Sequence, residues 1–275
     1  MNKQPILAFI GAGNMARAII GGLINNGYPA EKIWASEPDE SRLEDLKAQG
    51  LQTTTDNNIA VAAAEIVVLA VKPQILKPVT EALAATVQAK KPLIISVAAG
   101  ILSTSIDRWL GENTAIVRCM PNTPALVQTG ANGLYANKQV TAQQRQQAEH
   151  VLQATGMTLW VDAESQLDAV TAVSGSGPAY YFLFMESMIA AGKKLGLTED
   201  VATQLTLQTA LGAAKMALGS DVDPAELRRR VTSPNGTTEQ AIKSFIEGGL
   251  PGLVDAALQA CNDRSEELAE ELGKD

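Results

Sequence analysis

The chain has 275 residues, 46% hydrophobic and 19% charged, with a formal net charge of −8. That length and composition exclude a disordered chain and suit two domains, each with its own core. The acidic balance and the lack of any Lys/Arg run longer than three residues exclude nucleic acid and an anionic membrane surface as partners, which leaves a small molecule.

From the first residues to about 162, short β-branched runs alternate with amphipathic stretches, the signature of a parallel sheet wrapped by helices. Strands are predicted at Ile6–Ile10, Lys32–Ser36, Glu65–Val71, Pro92–Val97, Ala115–Cys119, a short piece at Gly133–Tyr135, and Met157–Val161. Between them helices are predicted at Met15–Asn25, Glu40–Gln49, Gln74–Val87, Thr104–Leu110 and Ala142–Thr155, each with an apolar stripe at three-to-four spacing. The fold class is therefore α/β, with a Rossmann-like doubly wound domain over residues 1–162. After Val161 the strand signal stops, and residues 163–275 read as an all-helical domain. Its helices are predicted at Gln166–Val173, Ala179–Leu195, Glu199–Ser220, Pro224–Val231, Thr238–Gly248 and Leu250–Gly273. Glu199–Ser220 is rich in Ala and Leu and carries Gly212, Ala213, Ala214 and Ala217, so it is expected to pack on several sides and to form a dimer interface.

The longest apolar runs, such as Ile66–Val71 and Leu93–Ala99, fall short of the roughly 20 residues that span a bilayer. The opening Met1-Asn2-Lys3-Gln4-Pro5 lacks the segments of a secretory signal, so a cytoplasmic protein is expected. Cys119 and Cys261 are the only cysteines and His150 the only histidine; no disulfide framework, metal site or Ser-His or Cys-His nucleophile is expected. His150 lies in a polar helical stretch and is expected to be solvated or capping.

Ile6–Ile10 is followed by Gly11-Ala12-Gly13-Asn14-Met15-Ala16, a G-x-G-x-x-A turn between a strand and a helix. Gly11 permits the tight turn, Gly13 lets the backbone approach a pyrophosphate, and Ala16 allows close packing of helix on sheet. The free amides and positive end of the helix then face the phosphates. The second strand ends at Ser36-Glu37-Pro38-Asp39, where the adenosine ribose of a dinucleotide would lie. Ser36 favours NADP and Glu37 favours NAD, and the choice stays open. Ala70-Val71-Lys72-Pro73 closes a buried strand at the edge where such sheets bind ligands, so Lys72 either steers an anionic cofactor or is merely solvated. Ala98-Ala99 and Pro121-Asn122 end two more strands there, and either border the nicotinamide or are plain turns.

Two further segments are more distinctive. Ser174-Gly175-Ser176-Gly177-Pro178 reads as a flexible turn capped by Ser176, with Pro178 in the first turn of a helix. In Ser233-Pro234-Asn235-Gly236-Thr237-Thr238 a turn opens a helix whose unpaired amides and neighbouring hydroxyls make a nest for a carboxylate. With Gly11–Ala16, Ala70–Pro73, Ser96–Gly100 and Met120–Pro124, these segments resemble the pyrroline-5-carboxylate reductase family along essentially the whole chain. The resemblance implies NADPH as donor, with NADH possible, and reduction of the cyclic imine 1-pyrroline-5-carboxylate to L-proline, the last step of proline biosynthesis. It implies self-association as a homodimer, with a decamer as the larger assembly open to the family. For the cofactor it points to Ile10, Gly11, Ala12, Gly13, Asn14, Met15, Ser36, Asn57, Ala70, Val71, Lys72, Pro73, Ala98 and Asn122. For the substrate carboxylate it points to Ser233, Gly236, Thr237 and Thr238, with Thr238 as the catalytic residue at the ring nitrogen. The family usually has Gly-Gly where this chain has Asn235-Gly236, and Asn tolerates the left-handed conformation the turn requires.

A protonated cyclic imine is already an electrophile and its amine product keeps the proton, so no strong general acid is required, and positioning carries the catalysis. Two rival readings remain. One is another β-hydroxyacid-dehydrogenase-like reductase or an imine reductase, which share the plan; those acting on hydroxy acids rely on a Lys in the helical domain, yet Lys193 and Lys194 fall near a helix end, where they offset its dipole. A non-catalytic nucleotide sensor would have no use for the Ser233–Thr238 nest.

Overall fold

Residues 4–273 are described by the structure, a computed structural model. Among them eight strands form one sheet: β1 (Leu7–Ile10), β2 (Ile33–Ser36), β3 (Gln52–Thr54), β4 (Ile66–Leu69), β5 (Leu93–Ser96), β6 (Ile116–Met120), β7 (Gly130–Ala136) and β8 (Gly156–Trp160). Their order is β3-β2-β1-β4-β5-β6-β7-β8. The strands from β1 to β6 are parallel; β7 runs antiparallel to β6, and β8 parallel to β7.

Every residue of β1, β4 and β5 is buried, because helices cover both faces of the sheet. Alternate side chains feed two cores. Leu7 and Phe9 pack with Ile19, Ile20 and Leu23 of α1 (Asn14–Asn25). Ala8 and Ile10 pack with Leu76, Leu83 and Val87 of α4 (Pro73–Lys90).

Between α1 and α4 lie α2 (Glu44–Ala48) and α3 (Asn57–Ala63); α5 (Ser103–Trp109), α6 (Ala142–Leu152) and α7 (Gln166–Val170) follow. Three features depart from the sequence-based expectation. The strand β3 and helix α3 were not anticipated, since Gln-Thr-Thr at a sheet edge and the short Asn-Asn-Ile-Ala-Val-Ala-Ala carry little periodic signal. The helix expected over Glu40–Gln49 is a 3-10 turn, Glu40–Leu43, followed by α2. Of the turn expected at Ser174–Pro178, Ser174 and Gly175 instead end a π-helical turn, Thr171–Gly175, closed by the Ser176 N–H donating to Thr171 O at 2.8 Å, while Pro178 does lie in the first turn of the next helix, Gly177–Lys194.

The described residues up to Ser176, with those from Cys261 onward, form one compact unit, and Gly177–Ala260 form a second. The return of the C-terminal residues to the first unit has visible causes. Ser265 Oγ donates to Asp168 Oδ1 at 2.7 Å, Arg108 Nη2 donates to Gly273 O at 3.1 Å, and Leu272 packs against the Ala8/Ile10 core.

The second unit holds α8 (Gly177–Lys194), α9 (Glu199–Leu218), α10 (Pro224–Arg230), α11 (Thr237–Glu247) and the first part of α12 (Leu250–Leu272). Phe184 of α8 meets Phe245 of α11 at 6.0 Å between ring centroids. Most of its other large apolar side chains, among them Tyr181, Phe182, Leu205, Leu211 and Leu253, stay exposed. No helix among the described residues is long and apolar enough to cross a membrane.

Candidate active site

Parallel strands deliver their carboxyl ends to one edge of the sheet, and the cofactor candidates of the first unit gather there. After β1 the chain turns at Gly11, whose φ is +95°. A Cβ there would stand 2.9 Å from Ala70 O and 3.0 Å from Val71 Cγ1, so the strand end of β4 admits only glycine. Backbone bonds set the turn: Gly11 N–H donates to Ser36 O at 2.8 Å and Ala70 N–H to Ile10 O at 2.9 Å.

Gly13 has a different reason. It is the N-cap of α1, offers no side-chain cap, and a Cβ built on it meets nothing within 4 Å. Protein packing therefore does not require glycine; the open space beside the first-turn amides does, if a phosphate is to approach them. The turn, with the exposed Asn14 and half-buried Met15 on one side and Ala70–Pro73 on the other, fits a dinucleotide. Gly13→Val is expected to lower the melting temperature by only about 2–4 °C, the effect of a poorer cap. The same substitution should weaken NADPH binding by roughly a hundredfold, about 3 kcal/mol, measured by fluorescence titration; unchanged affinity would place the phosphates elsewhere.

Other candidates occupy more specific positions. Ser36 ends β2 fully buried, and its hydroxyl donates to Asn57 Oδ1 at 2.6 Å. The pair is thus brought together, with Asn57 as the partner nearer the surface at the start of α3. Lys72 is exposed at the N-cap of α4. Ala98 follows β5, its N–H donating to Ser96 Oγ at 3.4 Å. The Asn122 amide is spoken for at both ends: Nδ2 donates to Ser174 O at 3.0 Å, and Oδ1 accepts from Ala131 N–H at 2.9 Å. It brackets β7 and the π-helical turn. His150 sits exposed in the last turn of α6, and Lys193, in the last turn of α8, is paired with Glu199 at 2.7 Å.

Several contacts around the glycine-rich turn were not legible in the sequence. Ala12 N–H donates to Glu37 Oε2 at 3.0 Å, and Ala12 O accepts from Arg17 Nε at 3.0 Å, so the turn is braced from both sides. Glu37 Oε1 receives Arg42 Nη1 at 3.2 Å. Arg17 also binds Asp45, and that guanidinium holds the Asp45 carboxyl below the usual carboxylate range. Farther along the sheet Glu164 accepts from Arg118 Nη1 at 2.9 Å and from both the backbone N–H and hydroxyl of Ser103, tying β6 to the start of α5. Cys119 of β6 is enclosed, and burial pushes its thiol pKa up, which suits a packing role and not a nucleophile.

In the second unit Asn235 adopts φ +58°, the left-handed conformation expected of it, and carries the chain into α11. Gly236 is the N-cap and offers no side chain, so the first-turn amides have no intrahelical acceptor and no capping oxygen. Glu239 reaches back, its Oε2 accepting from Asn235 N–H at 2.8 Å, while Gly236 N–H donates to Ser233 O at 3.0 Å. Ser233, Thr237 and Thr238 are all exposed beside these amides. Arg228, Arg229 and Arg230 close the preceding helix α10, two of them paired with Glu226. The arrangement can accept a small carboxylate.

A mostly parallel sheet with such a turn at its carboxyl edge, joined to a helical unit, defines a Rossmann-type nicotinamide oxidoreductase. Residues 6–100 match the family model described as NADP oxidoreductase, coenzyme F420-dependent, and residues 164–268 match that for pyrroline-5-carboxylate reductase dimerisation. A pyrroline-5-carboxylate reductase of Pseudomonas aeruginosa is 58% identical over 273 residues, covering 99% of this chain and 100% of that protein. The solved pyrroline-5-carboxylate reductase of Coxiella burnetii shares 46% identity with a TM-score of 0.94, covering 97% of this chain and 99% of that one. The Plasmodium falciparum pyrroline carboxylate reductase, solved with NADP bound, shares 29% identity with a TM-score of 0.85, covering 96% and 98%. The chain belongs to the pyrroline-5-carboxylate reductase family.

Proposed function

We propose that the chain reduces 1-pyrroline-5-carboxylate to L-proline, using NADPH as donor, with NADH as the possible alternative. The observation that carries this reading is the opening of α11, where a left-handed Asn235 and an uncapped helix start expose first-turn amides beside Thr237 and Thr238. A helix N-terminus favours a carboxylate over a neutral group, so Ser233, Gly236, Thr237 and Thr238 are assigned to the substrate carboxylate. Thr238 is assigned to the ring nitrogen, its hydroxyl orienting the protonated imine. When bound, the reduced nicotinamide supplies the hydride. Gly11–Met15, Ala70–Pro73, Ala98 and Asn57 would hold that cofactor, with Ser36 and Asn122 acting behind them through their hydrogen bonds. The reading assigns residues 1–162 to cofactor binding and 163–275 to substrate binding and dimerisation. A cytoplasmic homodimer is the proposed working form, with a decamer as the assembly it could build.

The test is steady-state consumption of reduced nicotinamide with pyrroline-5-carboxylate, run with each dinucleotide. Turnover yielding proline is the expected result. Turnover only of a hydroxy acid with oxidised nicotinamide, or of neither substrate, would overturn the assignment.

A further inference from the structure

The nucleotide edge contains a charged pair that the reaction itself does not use. Glu37 follows β2, in the position where a Rossmann sheet meets the adenosine ribose. Its side chain is largely covered, with one oxygen on Ala12 N–H of the glycine-rich turn at 3.0 Å and the other on Arg42 Nη1 at 3.2 Å. Arg42 remains half exposed and makes this contact through a single nitrogen, whereas the neighbouring Arg17 is committed to Asp45, Ala12 O and Arg42 O. The nearby Asp39 carboxylate is occupied by Ser41, accepting from its N–H and its hydroxyl. At this edge, then, one carboxylate lies where a dinucleotide's ribose would sit, and one guanidinium can change partners.

We propose that the Glu37–Arg42 pair sets the choice between the two nicotinamide dinucleotides, an inference that rests on the cofactor reading above. With Arg42 held on Glu37, the carboxylate accepts hydrogen bonds from ribose hydroxyls, as NADH requires. A 2′-phosphate is repelled by Glu37 and is accepted only by drawing Arg42 away from it, since a planar guanidinium binds phosphate in the same forked manner as carboxylate. The two residues therefore pull affinity in opposite directions, and each has its full effect only when the other is absent.

The test measures binding of adenosine 2′,5′-bisphosphate and adenosine 5′-monophosphate by calorimetry to the full-length protein and its variants, with no turnover involved. Glu37→Gln is expected to raise the preference for the bisphosphate about tenfold, and Arg42→Ala to lower it about tenfold, the scale of one charge contact removed. In the Glu37→Gln background, Arg42→Ala should cost more than it does alone, because Arg42 is then free for phosphate. If both nucleotides bind the unmodified protein and neither substitution moves the ratio beyond about twofold, or both variants weaken the two nucleotides equally, the pair only braces the turn and the proposal fails. If neither nucleotide nor NADPH binds the unmodified protein, the cofactor reading fails first.

Discussion

Leu211→Asp is expected to abolish self-association and, with it, reductase activity. Leu211 lies in the middle of α9, a helix of twenty residues whose only charged members are Glu199, Asp200 and Lys215. It exposes Val201, Leu205, Leu207, Leu211 and Met216, and buries only Ala202 within the chain. Helix α8 does the same with Tyr181, Phe182, Leu183 and Phe184. A helix apolar on most sides is stable in water only when something covers it. The match of residues 164–268 to a dimerisation model names a second copy as the cover. A carboxylate placed there without a partner costs several kcal/mol, enough to weaken association by more than about a hundredfold. The first unit has its own cores on both faces of the sheet, so NADPH binding should survive in the variant. Light scattering, dye-free melting and NADPH titration would separate these outcomes; a variant that remains an active oligomer would show that α9 is not the interface.

The contrast between the two units also explains what the sequence made legible. β1, β4 and β5 could be read because unbroken apolar runs such as Leu7–Ile10 and Ile66–Leu69 have no other stable use than a strand covered on both faces. The glycine-rich turn could be read because Gly11 answers a steric demand of the fold, contact with Ala70, whereas Gly13 faces open space that packing alone does not call for. Asn235 could be read as left-handed because few other side chains tolerate that conformation. What sequence spacing could not supply is the direction of a side chain once the fold has formed. Ser36 was expected to face a ligand, yet its strand position turns it inward to Asn57. Asn122 reads in the sequence as either a nicotinamide border or a plain turn, and nothing in the pattern shows that its amide brackets Ala131 and Ser174. Arg42 lies five residues beyond Glu37 in a polar turn, and nothing in the pattern distinguishes it from a solvated arginine until the 3-10 turn Glu40–Leu43 brings it back to β2. Such contacts come from topology, and only the folded chain displays them.

Thr238→Ala is expected to lower kcat by about a hundredfold, the loss typical when one preorganised donor is removed from a reacting centre. Thr238 is the second residue of α11, exposed, one position beyond Thr237 and two beyond the uncapped Gly236. That placement sets its hydroxyl beside the amides assigned to the carboxylate, and in a five-membered imine the carboxylate and ring nitrogen flank the same carbon. The chain's single histidine is exposed on α6 and its enclosed Cys119 thiol is held protonated by burial, so neither can serve as the proton donor. An orienting hydroxyl is sufficient because the substrate arrives protonated. As the hydride reaches the imine carbon, the C=N π pair becomes a lone pair on the ring nitrogen that can accept from the Thr238 hydroxyl, a bond the protonated ground state cannot make, so the loss should fall on kcat, with KM, governed mainly by the carboxylate contacts, changing little. Thr238→Ser keeps the hydroxyl and should restore most of the rate, which a helix-packing role of the methyl group would not allow. Normal kcat and KM in Thr238→Ala, measured at saturating NADPH, would remove Thr238 from the reacting centre and leave the helix amides alone to orient the imine.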